Sequence, residues 1–184
     1  MTDQNAQNGF TLIELLLVVG LLALSVGITS DILISLVRSY SKSQIINEIE
    51  QNANFVSQKL EKELRNAANI DAIDTDTTLN DLPGGSSITF TDRKGDQIVY
   101  RLNTSTGRIQ KKVNAGNYVN LTPDPTTSIG AVSVTCPTYC FKIIEDVPQV
   151  VSISMQFQQA GSPSSNIFTG SILIDNTIVV RNTY

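Results

Sequence analysis

A continuous apolar segment near the start of the chain constrains the fold more than any other feature. The segment covers residues 10–28 and, at about 20 residues, is long enough to cross the hydrocarbon core of a bilayer. It contains one carboxylate, Glu14, and a charged side chain inside a membrane costs about 2.5–3.5 kcal/mol on insertion scales. Because a residue this costly usually has a function, the pattern predicts one for Glu14.

The residues around Glu14 form a motif. Gly9 is followed by Phe-Thr-Leu-Ile-Glu-Leu and then by a further apolar run. This N-terminus resembles that of type IV pilins and of the related pseudopilins of type II secretion. The resemblance implies that a prepilin peptidase cleaves between Gly9 and Phe10 and that the new amine of Phe10 is methylated. It also implies, as partners, other pilin or pseudopilin subunits, an inner-membrane assembly platform, and membrane lipid before assembly.

Two interpretations of Glu14 are open. In a bundle of such helices, its carboxylate could pair with the amine of a cleaved Phe10 on a neighbour, and buried polar groups of this kind fix register. The alternative is an ordinary anchor helix whose carboxylate snorkels to the membrane surface. We predict the assembly role, because Gly9, Phe10 and Glu14 occur together at the spacing of the motif.

The charges that flank the apolar segment bear on its orientation. Residues 1–9 contain no Lys or Arg, whereas Arg38 and Lys42 follow the segment. Positive residues favour the cytoplasmic side, so charge alone would place the C-terminal region inside the cell. Pilin leaders often carry a basic residue, and this chain departs from that pattern. The resemblance implies the opposite orientation: a single span in the bacterial inner membrane, a head outside the cytoplasm, and an extracellular or periplasmic filament.

The helix is predicted to continue beyond the span as far as Ala68. No proline occurs between Met1 and Leu82, and apolar residues recur at steps of three or four, which traces one stripe along a helix. The stripe comprises Ile45, Ile49, Ala53, Val56, Leu60, Leu64 and Ala67. The predicted regions are a leader at 1–9, a membrane or filament-core helix at 10–30, its amphipathic continuation at 31–70, and a β-rich head at 71–184.

From Ser86 onward the apolar residues recur with a period of two, which indicates strands. Residues 71–85 are polar and are interpreted as the connection from helix to sheet. The predicted strands cover residues 88–91, 97–102, 109–113, 118–121, 131–134, 141–144, 150–158, 168–175 and 177–180. Strands at such short spacing predict a mainly antiparallel sheet packed on the apolar stripe of the helix. Together with this sheet, the resemblance implies an α+β, pilin-like fold with a long N-terminal helix.

The composition argues against catalysis. The chain of 184 residues carries a net charge of −4 and contains no histidine, which is the commonest general base and metal ligand. No spacing typical of a nucleophile or of a phosphate-binding loop is present. We therefore expect no enzymatic activity, no cofactor and no metal site.

The two cysteines, Cys136 and Cys140, have competing interpretations. They could form a disulfide in an oxidising compartment, or half of a metal site. Because the chain has no other cysteine and no histidine to complete a metal site, we predict the disulfide, with free thiols as the alternative.

A basic cluster stands out in an otherwise acidic chain. Six cations lie within twenty residues and are opposed by Asp92 and Asp96; they are Arg93, Lys94, Arg101, Arg108, Lys111 and Lys112. If the strands bring these side chains to one face, they could contact DNA phosphates or a partner protein. The alternatives are a solvated strand face and contacts to acidic neighbours in a filament.

The predicted function is structural: a minor pilin or pseudopilin that assembles through its N-terminal helix. The alternatives are a DNA-uptake or adhesive module carried on a pilus, and a plain single-span membrane protein.

Overall fold

The computed structural model describes residues 10–74, 85–124, 132–146, 148–160 and 170–181. Within these ranges there is one helix, α1, which covers Leu12–Arg65. The chain divides into two compact units, Met1–Ser41 and Lys42–Tyr184. The first unit contains the N-terminal part of α1, and the second contains its C-terminal part and all of the described strands.

Helix α1 begins where Thr11 provides the first acceptor. The Thr11 carbonyl accepts hydrogen bonds from the backbone N–H groups of Glu14 and Leu15, at 3.1 and 3.2 Å. Threonine is a favoured residue at the position before a helix, and Glu14 lies in the first turn, where an acidic side chain interacts favourably with the helix dipole. Both properties favour a helix start at Leu12.

The second unit contains nine described strands arranged in two antiparallel sheets. In chain order they are β1 Ala67–Asp74, β2 Ser87–Asp92, β3 Gln97–Asn103, β4 Arg108–Val113, β5 Val119–Asn120, β6 Val132–Thr135, β7 Phe141–Asp146, β8 Gln149–Gln159 and β9 Ser171–Val179. Sheet A has the order β1-β2-β3-β4-β5. Sheet B is built on β8, which pairs along one edge with β9 and along the other with β6 and β7.

The predicted apolar stripe forms the helix side of the core. Five of its members are buried within α1, namely Ile49, Ala53, Val56, Leu60 and Leu64. They belong to one hydrophobic cluster with side chains of both sheets, including Phe90 and Tyr100 of sheet A and Phe157 of sheet B. Burial of each large aliphatic side chain contributes about 1.5–3 kcal/mol, so this contact holds helix and sheets together. The α+β fold is confirmed.

The end of the helix was predicted wrongly. Helix α1 ends at Arg65, not at Ala68, and residues 67–74 form strand β1 rather than helix and connection. Strand β1 pairs with β2, from Ala67 opposite Asp92 to Asp74 opposite Ser87. Ala67 is buried, and it lies three residues after Leu64, as the next member of a helical stripe would. Its position therefore fits a helix and a strand equally well. Residues 75–84 of the predicted connection lie outside the described ranges.

The two strands predicted at 168–175 and 177–180 form one strand, β9. The described strands also form two sheets, where the sequence predicted one. Strand β9 pairs with β8 without interruption, from Val150 opposite Val179 to Gln158 opposite Ser171. The two predicted strands left a break at Asn176, but Asn176 pairs with Ile153 within β9, and the adjacent Asp175 is exposed. A polar residue at an outward strand position has the same local pattern as a turn residue. The beginning of the predicted strand at 168–169 lies outside the described residues.

Strands β6 and β7 flank an excursion from sheet B. Thr135 pairs with Gln156 and Phe141 pairs with Ile153, so residues 136–140 leave the ladder between two segments on the same edge of β8. A disulfide joins Cys136 and Cys140, whose Cα atoms are 5.1 Å apart, and closes this excursion. The Ser154 N–H donates to the Cys140 carbonyl at 3.1 Å, which keeps the end of the excursion on β8.

Candidate functional site

The N-terminal part of α1 presents an exposed apolar surface. Phe10 and Leu12 are 77% and 79% exposed, and the large apolar side chains that follow, as far as Tyr40, are exposed as well. Among the described residues, α1 is the helix that is long and apolar enough to cross a membrane. An apolar surface of this extent requires lipid or other protein chains to cover it.

The hydroxyl groups within this surface bond to their own helix. Ser25 donates to the Leu22 carbonyl at 2.9 Å, Thr29 donates to the Ser25 carbonyl at 2.7 Å, and Ser30 donates to the Val26 carbonyl at 2.8 Å. Bonds of this type satisfy a hydroxyl donor without a partner from outside the helix. These three side chains can therefore enter lipid or a packed bundle at little cost.

The two carboxylates on this surface, unlike its hydroxyl groups, have no hydrogen-bond partner within their own helix. Glu14 and Asp31 are the charged side chains between Leu12 and Val37, and both are exposed. No ion pair or side-chain hydrogen bond reaches either of them within the described part of the chain. Since burial of an unpaired carboxylate is costly, a cationic partner from another chain would stabilise these side chains when the surface is covered.

Glu14 also lies in the first turn of α1, at a spacing from Thr11 that the sequence analysis did not consider. Thr11 and Glu14 have the spacing of a capping box, in which a threonine before the helix and a glutamate three residues later satisfy free N–H groups. The structure shows the backbone bonds to the Thr11 carbonyl and no side-chain bond of this box. Phe10 lies next to this first turn, and Gly9 lies outside the described residues.

The structure does not bring the six basic residues to one face. Lys111 Nζ donates to Glu63 Oε1 of helix α1 at 2.6 Å. Lys112, its neighbour in β4, points to the opposite face, where its Nζ lies 5.3 Å from the centre of the Tyr118 ring. The Arg101 guanidinium lies 3.5 Å from the centre of the same ring.

Arg108 lies on the same face of β4 as Lys112, and the other two basic residues lie in a turn. Arg108 forms an ion pair with Asp124, and Arg93 and Lys94 are exposed in the turn between β2 and β3. The Lys94 N–H donates to Asp92 Oδ1 at 2.8 Å, so this turn keeps an acidic group beside its two cations. Lys111 faces helix α1, so the six side chains do not form one basic face, and DNA contact by the others stays a prediction.

Glu63 is a second residue that the sequence analysis missed. Its Oε2 accepts a hydrogen bond from the Tyr100 hydroxyl at 2.8 Å, while Oε1 accepts from Lys111. Burial raises the pKa of the Tyr100 hydroxyl far above its ordinary value, and the hydrogen bond and negative charge of Glu63 raise it further. The available signal was position: Glu63 directly precedes Leu64 of the buried stripe.

Within the described ranges, no group of His, Cys, Asp and Glu side chains could hold a metal ion, and no cysteine is free. The two cysteines bond to each other, as the sequence analysis expected in preference to half of a metal site.

Comparison with known proteins identifies the N-terminal segment. Residues 4–30 match a family model described as the prokaryotic N-terminal methylation motif. The match includes Gly9, Phe10 and Glu14, together with the exposed apolar helix up to Ser30. A search of curated proteins and a search of solved structures found no match. The recognised similarity is therefore confined to the segment that carries the unpaired carboxylate.

Proposed function

We propose that this chain, whose N-terminal methylation motif supports its place in the type IV pilin and pseudopilin family, is a structural subunit of a type IV pilus or a secretion pseudopilus. As a minor pilin or pseudopilin it is cleaved between Gly9 and Phe10 and methylated on the new Phe10 amine. It then assembles through its N-terminal helix. Its role is structural and not enzymatic.

One observation carries this proposal. The matched motif coincides with an apolar helix surface that is exposed throughout and holds the unpaired carboxylate of Glu14. Cleavage after Gly9 creates an amine on Phe10, four residues before Glu14. In a bundle of parallel copies, the amine of one chain and the carboxylate of the next satisfy each other, and this pairing restricts the axial offset between them.

The proposed location follows from the same helix. Before assembly, the span lies in the inner membrane with the β-rich unit outside the cytoplasm. The prepilin peptidase and the assembly platform act on it there. After assembly, neighbouring helices replace lipid around the apolar surface.

Mass spectrometry of the N-terminal peptide from native membranes tests the proposal. We expect a mature chain that starts at Phe10 and carries one additional methyl group on its amine. A Gly9→Val variant serves as control, because a bulky side chain at the cleavage position should leave residues 1–9 attached. An intact leader on the unaltered chain would overturn the proposal and favour an ordinary anchored protein.

A further inference from the structure

Asp31 is a second carboxylate within the apolar helix, and the pairing of Glu14 with Phe10 does not account for it. It is followed by Ile32-Leu33-Ile34-Ser35-Leu36-Val37 and then by Arg38. The five apolar side chains of this stretch are between 50% and 63% exposed. An exposed apolar stretch with an acid at one end and a base at the other is therefore present on the helix.

The position of Asp31 relative to the membrane leaves this stretch uncovered before assembly. Glu14 and Asp31 are seventeen residues apart, which corresponds to a rise of about 25 Å in a helix, close to the ~30 Å of a hydrocarbon core. When the two carboxylates lie near opposite edges of the core, residues 32–37 extend beyond it. Their apolar side chains then require another protein chain to cover them.

The spacing of Asp31 and Arg38 identifies that chain. The two residues are seven apart, so they lie within about 20° of the same helix face and about 10.5 Å apart along the axis. This separation is too long for an ion pair within one helix, where partners are three or four residues apart. In the described part of the chain, neither side chain has an ion-pair partner.

We propose that Asp31 of one copy pairs with Arg38 of an adjacent parallel copy and sets an axial offset of seven residues between these two helices. The neighbour in this pair is a different copy from the one whose Phe10 amine meets Glu14, because that pairing corresponds to an offset of four residues. The occupant of the exposed stretch is thus a second copy of this chain, because each copy carries both charges and the apolar residues between them. The inference rests on the proposed function, which brings copies together in a filament. It also implies that copies of this subunit are neighbours and not isolated at a tip.

Lys42 provides a competing register. It is eleven residues from Asp31 and near the same face, which would give an offset of about 16.5 Å. Arg38 is favoured because it adjoins the apolar stretch and because a guanidinium binds a carboxylate through two parallel hydrogen bonds.

Charge reversal in the full chain tests the pair. Asp31→Arg places two like charges in contact, and we expect the amount of subunit in the sheared filament fraction to fall by at least about tenfold. Arg38→Asp should act in the same way, and the double variant Asp31→Arg, Arg38→Asp should restore assembly. Asp175→Arg, the same change on the exposed face of β9, is the matched control and should assemble normally.

The outcomes separate the inference from the proposed function. A wild-type chain that is absent from the filament fraction would overturn the proposed function and the register with it. Normal assembly of Asp31→Arg, or failure of the double variant when each chain still inserts and is methylated at Phe10, would overturn the register alone. Rescue by Asp31→Arg, Lys42→Asp instead would replace the seven-residue offset by the eleven-residue one.

Discussion

The Tyr100 hydroxyl donates a hydrogen bond to Glu63 Oε2 at 2.8 Å and so joins sheet A to helix α1. Tyr100 is fully buried, and the other oxygen of the same carboxylate accepts from Lys111. Both Glu63 oxygens are therefore occupied by groups from neighbouring strands, β3 and β4. The helix is held on the sheet by a polar contact in addition to the apolar stripe.

Replacement of Tyr100 by Phe should destabilise the second unit. The change removes a hydrogen bond to a charged acceptor, and such bonds contribute about 1.5–3 kcal/mol. Denaturant unfolding of the full chain in detergent measures the loss. Tyr118→Phe is the matched control. Among the described residues the Tyr118 ring contacts cations and its hydroxyl has no hydrogen-bond partner, so its cost should be below about 0.5 kcal/mol. Equal costs for the two variants would contradict the role of the bond.

The stability of the chain should fall at alkaline pH because of Tyr100. Burial raises the pKa of this hydroxyl above its ordinary value of 10.0, so the folded state keeps a proton that the unfolded state releases. The stabilising contribution is complete below about pH 10 and is lost as the pH rises above it, by at most ~1.4 kcal/mol per pH unit. Unfolding experiments between pH 8 and 11 should show a decrease in the free energy of unfolding with pH that includes this contribution, both in the wild type and in Tyr118→Phe. A Tyr100→Phe variant with the wild-type slope would refute the assignment.

Lys111 and Lys112 should differ in their effect on stability. Lys111 forms an ion pair with Glu63, and the two side chains are only 18% and 21% exposed. Lys111→Met leaves a half-buried carboxylate with one partner fewer and should cost about 1–2 kcal/mol. Lys112→Met removes a half-buried cation near Tyr118 that forms no ion pair among the described residues, and it should change the free energy of unfolding by less than about 0.5 kcal/mol. If the order were reversed, the orientation of β4 in the structure would be wrong.

Substitutions at Glu14 should separate its charge from its position in the first turn of the helix. Gln can replace Glu in a capping box but cannot pair with an amine through charge. We therefore expect both Glu14→Gln and Glu14→Ala to insert into the membrane and to be lost from the filament fraction. Immunoblots of membrane and sheared fractions give the answer. If Glu14→Gln assembled as well as the wild type, the charge of Glu14 would not be needed for assembly, and its contribution would be to the first turn of the helix.

Loss of the disulfide should affect the excursion between β6 and β7 in particular. A covalent loop of this length contributes about 2 kcal/mol in the chain-entropy description. Replacement of both Cys136 and Cys140 by Ser should therefore lower the free energy of unfolding by about that amount. Hydrogen exchange should accelerate at the Ser154 N–H, which donates to the Cys140 carbonyl. Unchanged exchange at Ser154 would show that the ladder of β8 holds the excursion without the disulfide.

The sequence predicted those features that depend on a repeated local pattern. The buried positions of α1 were predicted because apolar residues recur over five helical steps, and the hairpin of β2 and β3 because alternation is regular on both sides of a glycine turn. The end of the helix was missed because Ala67 satisfies both the helical and the strand pattern. Its backbone is in β1 only because β2 lies beside it, and this pairing is not local.

The polar contacts were harder to predict than the apolar ones. Glu63 has the same local setting as the exposed charges around it, and only the arrival of Tyr100 and Lys111 from distant strands distinguishes it. Likewise, the opposite orientations of Lys111 and Lys112 follow from strand alternation once the register with β3 is known. The number of basic residues along the chain indicates neither how β3 and β4 pair nor which face of the sheet each side chain lies on.

The excursion at residues 136–140 has a practical consequence for engineering. Because the disulfide closes the excursion at its base and β6 and β7 continue on the same edge of β8, the strand pairing does not depend on the residues at the tip. Pro137 and Thr138 are both exposed there. A short foreign peptide inserted between them would be displayed as a tethered epitope without a change in strand register.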